Sequence, residues 1–200
     1  CREDEFSWGM QKAMLEFQEL NYHRKDHGIW EMRSEPKHFT HGRVAMWAAF
    51  DRGVKAVEEY GLDGPADRWR ELRSRLYEEI MEHGYNEEIQ SFTQCYDNTR
   101  VDASLLHIAR MGFISPTDPK MLNTVARIEE ELLDEHGFLH RSITDGTDGL
   151  EGDEYPFLIC SVWLIEQYAL SGRLEDAKEM MARRGSRSRP PCGARARRAS

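Results

Sequence analysis

An alternation between two kinds of helical segment most constrains what this chain can fold into. Four segments carry one apolar stripe at helical spacing. They are Phe6, Met10, Ala13, Met14 and Phe17; Trp69, Leu72, Leu76 and Ile80; Met121, Val125, Ile128 and Leu132; and Leu174, Ala177, Met180 and Met181. A helix with that pattern buries one side and wets the other. Between them lie three stretches that are apolar nearly all round: "VAMWAAF" (44–50), "ASLLHIA" (103–109) and "FLICSVWLI" (157–165). Helices of that kind are enclosed on every side, and their low β-branched content argues against central strands. Pro65 and Pro119 stand where a first helical turn starts, the second behind Asp118 as a cap. The order along the chain is outer, inner, outer, inner, outer, inner, outer.

The connections alternate as well. Inner-to-outer links are short and turn-like: "YGLDGP" (60–65), "GFISPTDP" (112–119) and "LSGR" (170–173). Outer-to-inner links are long, over about 21–37, 84–101 and 136–153. Short links make antiparallel neighbours, so every second connection emerges at the same end and the three long loops share one rim. The pairs keep no fixed period and repeat no motif, which argues against a solenoid. The expected fold is all-α, an incomplete (α/α)6 toroid of about seven helices alternating outer and inner.

Charge narrows the partners. The formal net charge is −9. Residues 183–200, "RRGSRSRPPCGARARRAS", hold seven Arg and no acid, leaving 20 basic against 36 acidic side chains elsewhere. An acidic body argues against nucleic acid as the partner. The Arg-rich tail reads as a disordered or out-of-frame segment with too few apolar residues to fold. The longest apolar stretch, 157–165, is far short of a membrane span. No membrane partner is expected. No signal-peptide pattern opens the chain, which begins at Cys1. Four scattered cysteines without a CxxC suggest no disulfide framework, and hence a reducing, cytoplasmic compartment. The sequence leaves the oligomeric state open.

The shared rim is where specific chemistry gathers, as expected of long loops on a rigid scaffold. The first loop brings Trp30, Glu31 and Arg33; the second Gln94, Tyr96, Asp97 and Asp102; the third Arg141, Asp153 and Glu154. Aromatic rings beside carboxylates and Arg suit a sugar, whose C–H faces stack while its hydroxyls bond charged groups. Glycoside hydrolysis also needs two carboxylates. Asp102 ahead of "ASLL" fits a helix N-cap better than a ligand, and Trp47 and Trp163 fit the core better than a sugar platform. His23, His27, His38 and His41 lack a strict helical ligand spacing, so no metal is expected.

Four ordered blocks carry a resemblance: "GIWEMR" (28–33), "HFTHGRVAMWAAFDR" (38–52), "FTQCYDNTRVDASLL" (92–106) and "DGLEGDEYPFLICSVWLIEQYALSGRLEDA" (148–177). Together they resemble glycoside hydrolase family 15, the glucoamylase and bacterial trehalase-like group, over about residues 5–182. The resemblance implies an (α/α)6 toroid, with residues 1–182 forming a C-terminal part of the catalytic domain. It also implies inverting, exo-acting hydrolysis of α-glucosidic bonds in an α-glucoside or oligosaccharide, without a cofactor. Glu31 falls at the family's general acid. Trp30, Arg33, Arg141 and Glu154 fall at its sugar-binding positions.

There are departures. "HGR" (41–43) stands where bacterial relatives usually carry His-Ser-Lys, and "GDEYPF" (152–157) replaces a Gly-Glu-Glu-Gly-Thr-Phe pattern. The family's general base follows the last helix in a Ser-Glu segment, where this chain reads "GSRSRPPCGARA" (185–196) without a carboxylate. The expectation is therefore an inactive portion of such an enzyme. The alternative is a non-catalytic α-helical sugar-binding or protein-interaction module, which would present a continuous apolar or charged surface away from Glu31.

Overall fold

The computed structural model describes residues 4–143 and 155–187. Helix α1 (Glu5–Asn21) is capped by Asp4, whose side chain accepts from the Ser7 amide at 2.8 Å. Helices α2 (Thr40–Glu58) and α3 (Ala66–Glu79) follow, and α3 runs on through one π-helical turn, Ile80–Gly84. A short hairpin pairs β1 (Tyr85–Asn86) with β2 (Ser91–Phe92), Tyr85 opposite Phe92. Next come a 3₁₀ turn (Ala103–Leu106), α4 (His107–Arg110) and α5 (Pro119–Leu132). Pro119 lies at the start of α5, behind the Asp118 cap that the sequence suggested. Helices α6 (Leu158–Leu170) and α7 (Leu174–Arg187) complete the described chain.

Two layers result, as the alternation predicts. The inner row runs from α2 through the 103–110 segment to α6, each touching the next. Outside it, α1 and α3 pack on α2, α5 packs on β2 and the 3₁₀ turn, and α7 packs on α6. Trp69, Leu72, Leu76 and Ile80 are buried on one side of the fold, and Met121, Val125, Ile128 and Leu132 on another. The stripes of α3 and α5 therefore face inward as their spacing requires.

Two expectations need correction. The first concerns α1, where Phe6, Met10, Ala13, Met14 and Phe17 all lie on the exposed face, Phe6 at 89%. The helix docks instead through Trp8 and Leu15. Trp8 meets Trp69 edge-on with centroids 6.1 Å apart, and its indole N–H donates to the Asp63 carbonyl at 2.8 Å. Gly53 permits this approach, because a Cβ there would lie 2.9 Å from both Leu15 and Trp69. One well-seated aromatic edge outweighs a longer apolar stripe when the neighbouring surface is shaped to accept it.

The second concerns "ASLLHIA", which is a 3₁₀ turn followed by a single α-turn rather than a continuous helix. Asp102 caps the tighter turn, accepting from the Ser104 amide at 3.0 Å. Helix α6 is enclosed only on the side of Cys160, Ser161, Leu164 and Tyr168, with the open flank that an incomplete ring leaves on an inner helix. Phe157, Leu158, Ile159 and Val162 are open to solvent. By contrast, no residue of "VAMWAAF" is exposed.

Candidate active site

The first rim loop is a closed unit. Asp26 and Lys37 bridge its neck through both backbone hydrogen bonds, at 3.0 and 2.9 Å. Within it the Gly28 amide donates to the Asp26 carboxylate at 2.5 Å, and the Met32 amide to the His27 carbonyl at 2.8 Å. Gly28 has φ +70°, and a Cβ there would sit 2.8 Å from the Phe39 ring. Only glycine fits both the angle and the space. Glu31 follows at φ +50°, with its amide bonded to the Gly28 carbonyl at 3.1 Å. That left-handed backbone throws the Glu31 side chain outward, where it is exposed.

The three rim loops are stitched to one another, as a shared rim requires. Phe39 bridges Cys95, and the Thr40 amide donates to the Gln94 carbonyl at 3.0 Å. Asp102 bridges Ser142, and the Ala103 amide donates to the Arg141 carbonyl at 2.9 Å. Loop one is thus joined to loop two, and loop two to loop three.

Trp30 stands at the meeting point. Its indole N–H donates to Asp102 Oδ2 at 2.9 Å. Its ring lies 5.8 Å from Trp163 at a 32° tilt, and 6.5 Å from Phe157. The Arg141 guanidinium sits 5.6 Å from the centre of the same ring. Trp30 and Arg141 are half-buried, and Arg33 is exposed beyond Glu31. The structure thus brings Trp30 and Arg141 together, with Glu31 next to Trp30 along the chain, while Glu154 and Asp153 lie outside the described residues. A cleft of about 360 Å³ opens between the rim loops, lined by Met32, Ser34, Gln94, Asn98 and Ser142 among others; Trp30, Glu31 and Arg141 are not part of its lining.

Three side chains, Trp163, His107 and His41, join the site in a role that the sequence did not assign them. Trp163, read as core, is half-buried and backs Trp30. His107 meets Trp163 edge-on at 4.3 Å, and His41 lies 5.6 Å from His107. Burial, then the nearby His107, holds the His41 imidazole down at about 4, and burial also lowers His107. Both rings are therefore neutral hydrogen-bonding surfaces at neutral pH. The periodicity of α6 placed Trp163 in the inner row, but which side of that row faces the rim loop is decided by packing.

The remaining candidates disperse. Trp47 packs against Phe113 at 5.2 Å and is core, as read. His27 Nδ1 bonds the Met32 carbonyl at 2.8 Å, His38 lies beside Tyr96, and His41 faces His107. Among the described residues no three potential ligands converge on one point. Arg43, in the departing "HGR" run, is buried between the first two rim loops, 6.0 Å from the centre of the Tyr96 ring. It is 1% exposed, pairs with Glu79 of α3 at 2.5 Å and bonds the Tyr22 carbonyl. No helix among the described residues is long and apolar enough to cross a membrane.

This geometry can be set beside known proteins. The profile of Glycosyl hydrolases family 15 matches residues 3–183. The chain belongs to this family. A trehalase of Thermoplasma volcanium is 35% identical over 176 residues, covering 88% of this chain and 28% of the relative. A trehalase of Mycobacterium tuberculosis is 37% identical, covering 88% and 26%. The chain thus spans little more than a quarter of the curated relatives it matches. Solved glycosidases share the fold at 15% identity: the wild-type form of one and a form in complex with glucose each superpose with a TM-score of 0.72, over 84% of this chain and 43% of theirs. The family's (α/α)6 toroid is the two-layer array described above.

Proposed function

We propose that the enzyme of which this chain is a part hydrolyses the α-glucosidic bond of trehalose, with Glu31 as general acid and inversion at the attacked anomeric carbon. Glu31 donates its proton to the glycosidic oxygen as the C–O bond breaks, and a water deprotonated by a second carboxylate attacks the opposite face. Trp30 forms an apolar wall for the sugar ring, and Arg33, Arg141 and Glu154 bond its hydroxyls. No cofactor enters this chemistry.

The observation that carries the reading is the Trp30–Glu31 step. A carboxylate is presented to solvent by a left-handed residue on a locked loop, next to an aromatic face backed by Trp163. Trehalose is the substrate chosen because the similar curated proteins are trehalases. The second carboxylate is not assigned, since no Asp or Glu follows Glu179 where the family base would be expected. The 200-residue chain alone is therefore expected to release no glucose from trehalose.

The test belongs in the full-length gene product. Glu31→Gln should lower kcat on trehalose by at least about 10²-fold while KM stays within a few-fold. The first-formed products, followed by NMR, should be β-glucose from the attacked ring and α-glucose from the leaving ring in equal amounts. Unchanged turnover in that variant would sink the assignment of Glu31, and α-glucose alone as the first-formed product would sink inversion.

A further inference from the structure

We infer that Asp102 is a positioning residue for the general acid, acting through the indole of Trp30; this rests on the reading of Glu31 given above. An N-cap needs only one carboxylate oxygen. Asp102 Oδ1 serves that end, accepting from the Ser104 amide at 3.0 Å and the Ser104 hydroxyl at 2.6 Å. Oδ2 faces the rim and accepts from Trp30 Nε1 at 2.9 Å and Gln94 Nε2 at 3.2 Å. The side chain is 1% exposed. A buried carboxylate held by four converging donors is a fixed anchor.

What it anchors matters. The hydrogen bonds described above within the Trp30–Glu31 loop are local, between Asp26, Gly28, His27, Met32 and Lys37. They set the loop's shape, not its placement over the inner row. Trp30 Nε1 reaches across 72 residues of sequence to Asp102. Glu31 is the next residue along the chain, so a shift of the indole moves the carboxyl with it. Misplacement by about 1 Å from a site off the reacting atoms can cost about 10²-fold in rate.

Asn at this position is not a silent replacement. It offers one oxygen, and the fixed Ser104 amide keeps that oxygen on the cap side. The NH₂ then faces the N–H groups of Trp30 and Gln94, donor against donor, and the indole is pushed away. Ser104→Ala removes one bond to Oδ1 and leaves Oδ2 untouched.

The experiment uses the full-length gene product, with trehalose and α-glucosyl fluoride as the two probes. Fluoride leaves without protonation, so a fault confined to the general acid shows on trehalose and not on the fluoride. Glu31→Gln and wild type come first: equal rates on trehalose overturn the reading of Glu31, and this inference with it. If Glu31→Gln collapses on trehalose alone, Asp102→Asn decides the rest. It is expected to lose about 10²-fold in kcat on trehalose, with KM held and the fluoride rate within a few-fold. Ser104→Ala should change neither ratio. If Asp102→Asn does not fold, Asp102→Glu keeps the charge but moves the outer carboxylate oxygen off Trp30 Nε1 and should give the same leaving-group dependence. Equal loss on both probes, or loss on neither, overturns the inference and leaves Glu31 standing.

Discussion

Glu31 and Gly28 both occupy the left-handed region, at φ +50° and +70°. For glycine this is free; for glutamate it costs about 1–3 kcal/mol, which the surrounding hydrogen bonds must offset. Strain of that kind at the proposed acid is consistent with a backbone selected for side-chain direction rather than stability. His41 permits a sharper prediction at this scale. Its folded-state value near 4 lies below the ordinary 6.5, because burial and His107 disfavour the charged ring. The unfolded chain therefore binds the proton more readily between those values. Stability falls as pH drops from 6.5 towards 4 and is unaffected by this group above 7. Melting temperatures measured between pH 7 and 4.5 should decline less steeply in His41→Gln than in wild type, and an unchanged slope would contradict the assignment. The sequence singled out His41 only as one of four loop histidines. Its pairing with His107 could not be read, since the two lie on different segments of the inner row.

Helix α1 is lightly attached. Its buried apolar contacts reduce to Trp8 and Leu15, whereas α3 buries Trp69, Leu72, Leu76 and Ile80. Replacing Trp8 by Ala should cost about 3–5 kcal/mol if α1 contributes to global stability. The expected pattern is more local: amide protection in Trp8→Ala is lost across residues 5–21 and kept in the α2–α3 pair. Hydrogen exchange read by mass spectrometry distinguishes the two, and uniform loss along the chain would show that α1 is integral to the cooperative unit. The period of α1 correctly marked a helix. Its orientation was misjudged because both faces of that helix carry large apolar residues, and the decisive partner, Trp69, lies far along the sequence.

At the scale of the whole molecule, two apolar faces are open among the described residues. One is the Phe6, Met10, Met14, Phe17 and Leu20 stripe of α1; the other is the Phe157, Leu158, Ile159 and Val162 flank of α6. Monomeric proteins rarely leave contiguous apolar patches larger than roughly a few hundred Å² uncovered. The 200-residue chain is expected to self-associate or bind a hydrophobic dye strongly. Introducing Met14→Glu together with Val162→Glu should reduce both effects. Sedimentation velocity at several concentrations provides the check, and a clean monomer for the parent chain would contradict it. The uncovered α6 flank was foreseeable, because an inner helix needs neighbours on every side. The α1 stripe was not foreseen, since its pattern is the same whether it faces a core or a partner.

What the sequence determined by itself was set by local periodicity and by short motifs. Outer and inner segments, short and long links, the Pro119 start and the Asp118 cap follow from side chains within a few residues of each other. The "GIWEMR" run likewise carried its own family resemblance and, with it, Glu31 and Trp30. Tertiary structure decided everything that depends on which face meets which partner: the outward stripe of α1, Trp163 behind Trp30, and Arg43 turned to Glu79. It also decided the use of Asp102, which the local sequence marks only as a cap. Hydrogen bonds and aromatic edges between distant segments depend on shape and burial, and neither is encoded in the spacing of residues along one segment.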